Sequence, residues 1–213
     1  MTHIAQFDQA FARCPLVAIL RGVRPDEVEA IGDALVEAGF SLIEVPMNSP
    51  EPLDSIGRLA RRFAGRAIVG AGTVLRPEDV EAVRAAGGTM IISPNANTAV
   101  IAASAAAGLV SLPGTSTPTE AFAALEAGAT ALKLFPAEGS SPAVLKAMLA
   151  VLPKGTRVLP VGGVSPALVK PWLEAGAAGF GLGSALYKPG MTAEEIGERA
   201  RAFVSALAAA RAA

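Results

Sequence analysis

The 213-residue chain contains one cysteine, Cys14, and one histidine, His3. A lone cysteine excludes any disulfide within the chain, and the two residues together are too few for a zinc site of the Cys/His kind. A Ser-His-Asp or Cys-His machine would have to recruit His3, close to the N-terminus, so nucleophilic catalysis of that type is set aside. Cys14 precedes Pro15 and reads as a small structural hydrophobe. No apolar stretch reaches the roughly 18 uninterrupted residues of a membrane helix, so a membrane partner is not expected. Net charge is −1 with no basic run, which argues against nucleic acid as a partner. The segment Met1 to Arg13 lacks a charged-then-apolar signal pattern, and a cytoplasmic protein is expected.

What the chain does have is a beat. Short β-branched or leucine-rich runs recur at Leu16–Leu20, Leu42–Val45, Ala67–Val69, Met90–Ile92, Leu109–Leu112, Ala131–Phe135, Arg157–Val161 and Gly179–Leu182, with helix-period stretches between them. The helical stretches end on Gly39, Gly65, Gly87, Gly108, Gly128, Gly155 and Gly176, six of the seven as Ala-Gly. Glycine is the preferred left-handed terminator because it has no Cβ to clash. Helix starts carry proline or a capping oxygen, as in Pro25-Asp26-Glu27, Ser49-Pro50-Glu51, Pro77-Glu78-Asp79, Thr117-Pro118, Ser141-Pro142 and Ser165-Pro166. Eight alternations of strand and helix predict a single (β/α)8 barrel domain, a TIM barrel, spanning 1–213. A short extra helix is expected in the first ~14 residues, and a last helix, Ala193 to Ala210, closes the ring. A doubly wound open sheet is the alternative, with less reason for so even a spacing.

Alternation along the strands says which side chains face inward. Of five lysines, only Lys133 lies in a strand run; Lys146, Lys154, Lys170 and Lys188 fall in helices or loops. Lys133 points opposite to Leu132 and Leu134, and Glu44 in the second strand points opposite to Ile43 and Val45. Helices cover the outside, so the apolar pairs belong there and Glu44 and Lys133 lie within. Strands two and six face one another across an eight-membered ring and feed the same interior layer. A purely structural ion pair is the bland interpretation, but desolvating two charges tends to cancel their attraction. Burial lowers an amine's pKa and frees it to attack a carbonyl.

Other residues converge on the same end of the barrel. Arg21 ends the first strand and could fork onto a carboxylate. Thr73 ends the third, in Gly70-Ala71-Gly72-Thr73, and Pro94 ends the fourth. After strands seven and eight come Val161-Gly162-Gly163-Val164-Ser165 and Gly181-Leu182-Gly183-Ser184. Glycines there let backbone N–H groups approach an anion, where many such barrels hold phosphate. An amine, a carboxylate, a carboxylate clamp and a phosphate cradle suit imine chemistry on a phosphorylated 2-oxo acid. Lys133 would form the imine and Glu44 would move protons, with no metal or other cofactor required.

The segments around Glu44, Gly70-Ala71-Gly72-Thr73, Ser93-Pro94-Asn95, Leu112-Pro113-Gly114, Lys133-Leu134-Phe135-Pro136-Ala137-Glu138 and the paired glycine loops resemble the 2-keto-3-deoxy-6-phosphogluconate / 6-phosphogalactonate aldolases. The resemblance runs in order from about Leu16 to Tyr187. It implies reversible cleavage of a six-carbon phosphosugar acid to pyruvate and D-glyceraldehyde 3-phosphate by a class I enzyme, commonly a homotrimer. It also implies Lys133 as Schiff-base lysine and Glu44 as acid/base. Thr73, Pro94 and Phe135 match the pyruvate end, and Gly162, Gly163 and Ser184 the phosphate end. The gluconate form has arginine shortly after the strand-two glutamate and threonine before Gly-Gly. This chain has Glu44-Val45-Pro46-Met47-Asn48-Ser49 and Pro160-Val161-Gly162-Gly163, which look more like the galactonate form. Arg21 would then replace the missing arginine, and Val161 would present an apolar wall to the C4 hydroxyl. The alternatives are use of the gluconate epimer, a 4-hydroxy-2-oxoglutarate aldolase, a phosphate-binding isomerase or epimerase, and a non-catalytic phosphosugar-binding barrel.

Overall fold

In the computed structural model, which describes residues 1–212, all seven helix-ending glycines are left-handed, with φ between 69° at Gly108 and 104° at Gly39. Each helix therefore stops and the chain turns back into the next strand. The strands are β1 Leu16–Ile19, β2 Leu42–Pro46, β3 Ile68–Gly72, β4 Met90–Ile92, β5 Val110–Leu112, β6 Gly114–Thr115, β7 Leu132–Leu134, β8 Val158–Pro160 and β9 Phe180–Leu182. All pairings are parallel, in the orders β5-β4-β3-β2-β1-β9 and β6-β7-β8.

Two joins turn these sheets into a ring of eight staves. The expected fifth strand is interrupted at Pro113, which has no N–H to give to the ladder, so β5 and β6 are halves of one stave. The carbonyl of Pro113 still accepts from Lys133 N at 2.9 Å. On the other side β8 meets β9 through the parallel bridge Val161↔Gly181. A close approach at that bridge leaves no room for a Cβ on Gly181, which would sit 2.7 Å from Val161 Cγ2.

The helices are α1 His3–Arg13, α2 Val28–Glu37, α3 Pro52–Arg62, α4 Pro77–Ala85, α5 Thr98–Ala106, α6 Pro118–Glu126, α7 Pro142–Leu149, α8 Pro166–Glu174 and α9 Ala193–Ala212. Thr117 and Glu120 cap α6 reciprocally, and Ser141 caps α7. Alternation separates two cores. Ile43, Val45, Leu132 and Leu134 pack outward against the helices. Val17, Leu42, Met90, Leu112 and Leu159 fill the barrel together with Phe7 and Phe11 of α1. The expected extra helix thus stoppers the N-terminal end of the barrel. Arg157 clamps it there, 2.7 Å from Asp8 Oδ1 and 5.3 Å from the centroid of the Phe7 ring.

Some boundaries differ from the sequence expectation. β3 runs on through Gly70 and Gly72, because a missing Cβ at Gly70 lets the β4 backbone at Met90 close in. α2 begins at Val28, since Pro25–Glu27 forms a turn in which the Glu27 carboxylate accepts from Arg24 N at 3.1 Å. Arg21, Thr73 and Pro94 do not end strands: each lies one or two residues beyond one, in the loops at the C-terminal rim.

Candidate active site

Glu44 is 2% exposed and Lys133 6% exposed, and both face the barrel lumen. They share a small interior cavity of about 10 Å³ with Ile19, Leu112, Leu159 and Val161, room for no more than about one water. The pairing ladder sets Glu44 opposite Ile19 on one side and Gly70 on the other. Gly72 completes the socket, because a Cβ there would land on Glu44 Oε2. Glu44 Oε2 is itself buried with no hydrogen-bond partner in the protein, a free acceptor inside an apolar tube. The Lys133 ammonium lies over the Phe135 ring, 4.4 Å from its centroid.

Burial dominates the titration of both groups. It pushes the Glu44 carboxyl up to about 7, against the pull of Lys133 and then Arg21. Burial also holds the Lys133 ammonium below the ordinary lysine range; Glu44 opposes this and Arg21 reinforces it. A carboxyl titrating near neutrality suits a general acid–base group, and a weakened ammonium yields the free amine of a nucleophile more readily.

Above this layer opens a mouth of about 470 Å³. Of the residues expected at the site, Arg21, Phe135, Val161, Gly162, Gly163, Gly183 and Ser184 line it together with Lys133. Val161 faces inward in both the mouth and the inner cavity. The glycine loops are required by shape as well as by any ligand. Gly162 has φ of 111°, and a Cβ there would land on the Glu138 carboxylate. Ser165 stands outside the lining as the N-cap residue of α8. Thr73 joins the site indirectly: its hydroxyl accepts from Arg21 Nη1 at 3.5 Å, and its φ is 56°. Pro94 is not among the residues lining either cavity, but its carbonyl occupies the space a Cβ on Gly114 would take, beside the register partner of Lys133. In its loop after β4, Ser93 Oγ donates to Asn95 O at 2.8 Å.

The sequence reading missed Asn48, whose Oδ1 accepts from Arg21 Nη1 at 2.7 Å, and Glu138, Tyr187 and Lys188, which also line the mouth. Tyr187 ties two rim loops together by donating to Glu27 Oε1 at 3.3 Å. Glu138 stood in the Lys-Leu-Phe-Pro-Ala-Glu segment and Asn48 in the stretch after Glu44, so both were in view; neither has a spacing that marks its role.

Residues 7–201 match the family described as "Aldolase: KDPG and KHG aldolase". The chain is 46% identical to 2-dehydro-3-deoxy-6-phosphogalactonate aldolase of Escherichia coli (strain K12), covering 91% of this chain and 95% of the relative. It is 31% identical to the KHG/KDPG aldolase of the same organism, over 64% of this chain and 63% of the relative. A solved structure described as native KDPGal superimposes with a TM-score of 0.93 at 45% identity, covering 94% of this chain and 98% of that one. A buried lysine–glutamate pair under a glycine-rimmed mouth, in a barrel of this shape and sequence, makes the chain a member of the KDPG and KHG aldolase family.

Proposed function

We infer that this protein is a Schiff-base aldolase cleaving 2-dehydro-3-deoxy-6-phosphogalactonate to pyruvate and D-glyceraldehyde 3-phosphate. The observation that carries this reading is the amine and the carboxyl buried together in one lumen, each shifted toward neutrality by that burial. Lys133 Nζ attacks the C2 ketone and a water leaves, giving an iminium. Glu44 takes the proton of the C4 hydroxyl, the C3–C4 bond breaks, and its electrons move into the iminium as the enamine forms. The aldehyde departs, the enamine is protonated at C3, and water returns Lys133 and pyruvate. The iminium supplies the polarisation a metal would otherwise give.

Arg21 is assigned to the substrate carboxylate, with Phe135 and Thr73 at the same end. Gly162, Gly163, Gly183 and Ser184 are assigned to the phosphate, where glycine backbone and a serine hydroxyl line the mouth. Lys188 on the same rim adds positive charge. Val161 supports the galactonate epimer, since its inward methyl groups offer the C4 hydroxyl no hydrogen bond. Assembly as a homotrimer fits the exposed apolar side chains Phe122, Val144 and Leu168 on α6, α7 and α8. No described helix is long and apolar enough to cross a membrane, and a cytoplasmic location is proposed with the rest.

The test is a side-by-side assay of pyruvate release from the two phosphorylated epimers and from an unphosphorylated 4-hydroxy-2-oxo acid. Faster turnover of the galactonate epimer is expected. Equal rates with and without phosphate would remove the cradle from the reading. Failure of pyruvate and cyanoborohydride to add mass at Lys133 would remove the imine.

A further inference from the structure

The Arg21 guanidinium is held in a particular way. Nη1 donates to Asn48 Oδ1 at 2.7 Å and, at the longer distance of 3.5 Å, to Thr73 Oγ1. Both hydrogens of that nitrogen are thus taken up by protein acceptors. Among the described residues, Nε and Nη2 of Arg21 have no hydrogen-bond partner, so the side edge of the fork is free. That edge presents two parallel N–H groups, the geometry a carboxylate accepts in bidentate fashion.

The loop carrying Asn48 is pinned on both flanks. Met47 N donates to Gly72 O at 2.8 Å, and Ser49 Oγ accepts from Gly22 N at 2.9 Å, next to Arg21 itself. Asn48 therefore stands at a fixed place relative to both the end of β3 and the Arg21 loop. Its chemistry suits the task. An amide oxygen holds the guanidinium without neutralising it, whereas a carboxylate at this position would compete with a carboxylate ligand for the same charge.

We propose that Asn48 is a positioning residue: it locks Arg21 with the free edge of the guanidinium turned toward the substrate carboxylate. The inference rests on the reading of Arg21 as the carboxylate clamp. It explains why an exposed arginine in a loop can serve there, since a free side chain would lose rotamer entropy on each binding event.

The experiment is reductive trapping of the Lys133 imine with cyanoborohydride, followed by intact mass, at varied concentrations of pyruvate and of hydroxyacetone. Hydroxyacetone is a ketone without a carboxylate. In Asn48→Ala the half-saturating pyruvate concentration rises about tenfold relative to that for hydroxyacetone, the effect of losing one well-aligned charged hydrogen bond. Asn48→Asp raises the same ratio, because it keeps the geometry and cancels the charge. In an Arg21→Gln background, Asn48→Ala adds nothing further. An unchanged ratio in Asn48→Ala, or equal effects of Asn48→Ala with and without Arg21, would overturn the positioning role alone. An Arg21→Gln variant with unaltered pyruvate trapping would overturn the clamp.

Discussion

Replacing Glu44 by glutamine should make the protein inactive and, at alkaline pH, more stable. The carboxyl titrates at about 7 in the fold because burial disfavours its charge, against 4.5 in an unconstrained chain. The native state therefore keeps a proton that the unfolded state has already released, and stability falls as pH rises from 4.5 through 7. At 1.36 kcal/mol per pH unit, this loss reaches about 3 kcal/mol above neutrality. Glutamine has nearly the same shape and no charge to desolvate. The difference in unfolding free energy between Glu44→Gln and the parent should shift in favour of the variant by about 3 kcal/mol between pH 4.5 and pH 8. Urea denaturation at several pH values measures that difference, and titrating groups not coupled to Glu44 cancel in the subtraction. A difference that stays constant with pH would mean the carboxylate is charged and solvated in the native state. Glu44 would then not be a near-neutral acid–base group. Loss of turnover alongside the gain in stability would place Glu44 among the sites where function is kept at the expense of the fold.

Other perturbations test separate parts of the site. Lys133→Arg keeps a cation in the lumen but cannot form an imine, so pyruvate release and reductive trapping should both be abolished; residual turnover would contradict the mechanism. Gly72→Ala drives a Cβ onto the Glu44 carboxylate, and thermal unfolding should show a loss of roughly 1–3 kcal/mol together with reduced kcat. Normal kcat in that variant would show that the socket does not position Glu44. Val161→Thr places a hydroxyl on the inward wall at little change in volume; the ratio of kcat/KM values should move toward the gluconate epimer, and an unchanged ratio would place discrimination elsewhere.

Sequence alone determined the frame and the two central residues. Period-two alternation put Glu44 and Lys133 on the face opposite Ile43, Val45, Leu132 and Leu134, and the structure keeps that division between lumen and outer core. Ala-Gly helix ends and proline-led starts marked the units, because left-handed φ and a missing N–H are local requirements of the backbone. Tertiary structure alone decided what happens at the rim. Asn48, Arg21 and Thr73 come from three loops and meet only when three strands stand side by side, a contact with no period to betray it. Pro94 is a further case: only the fold sets its carbonyl against Gly114, the register partner of Lys133. The near-neutral carboxyl is likewise a property of the closed tube. A glutamate in an open chain ionises freely, and only the surrounding barrel withholds the water that its charge needs.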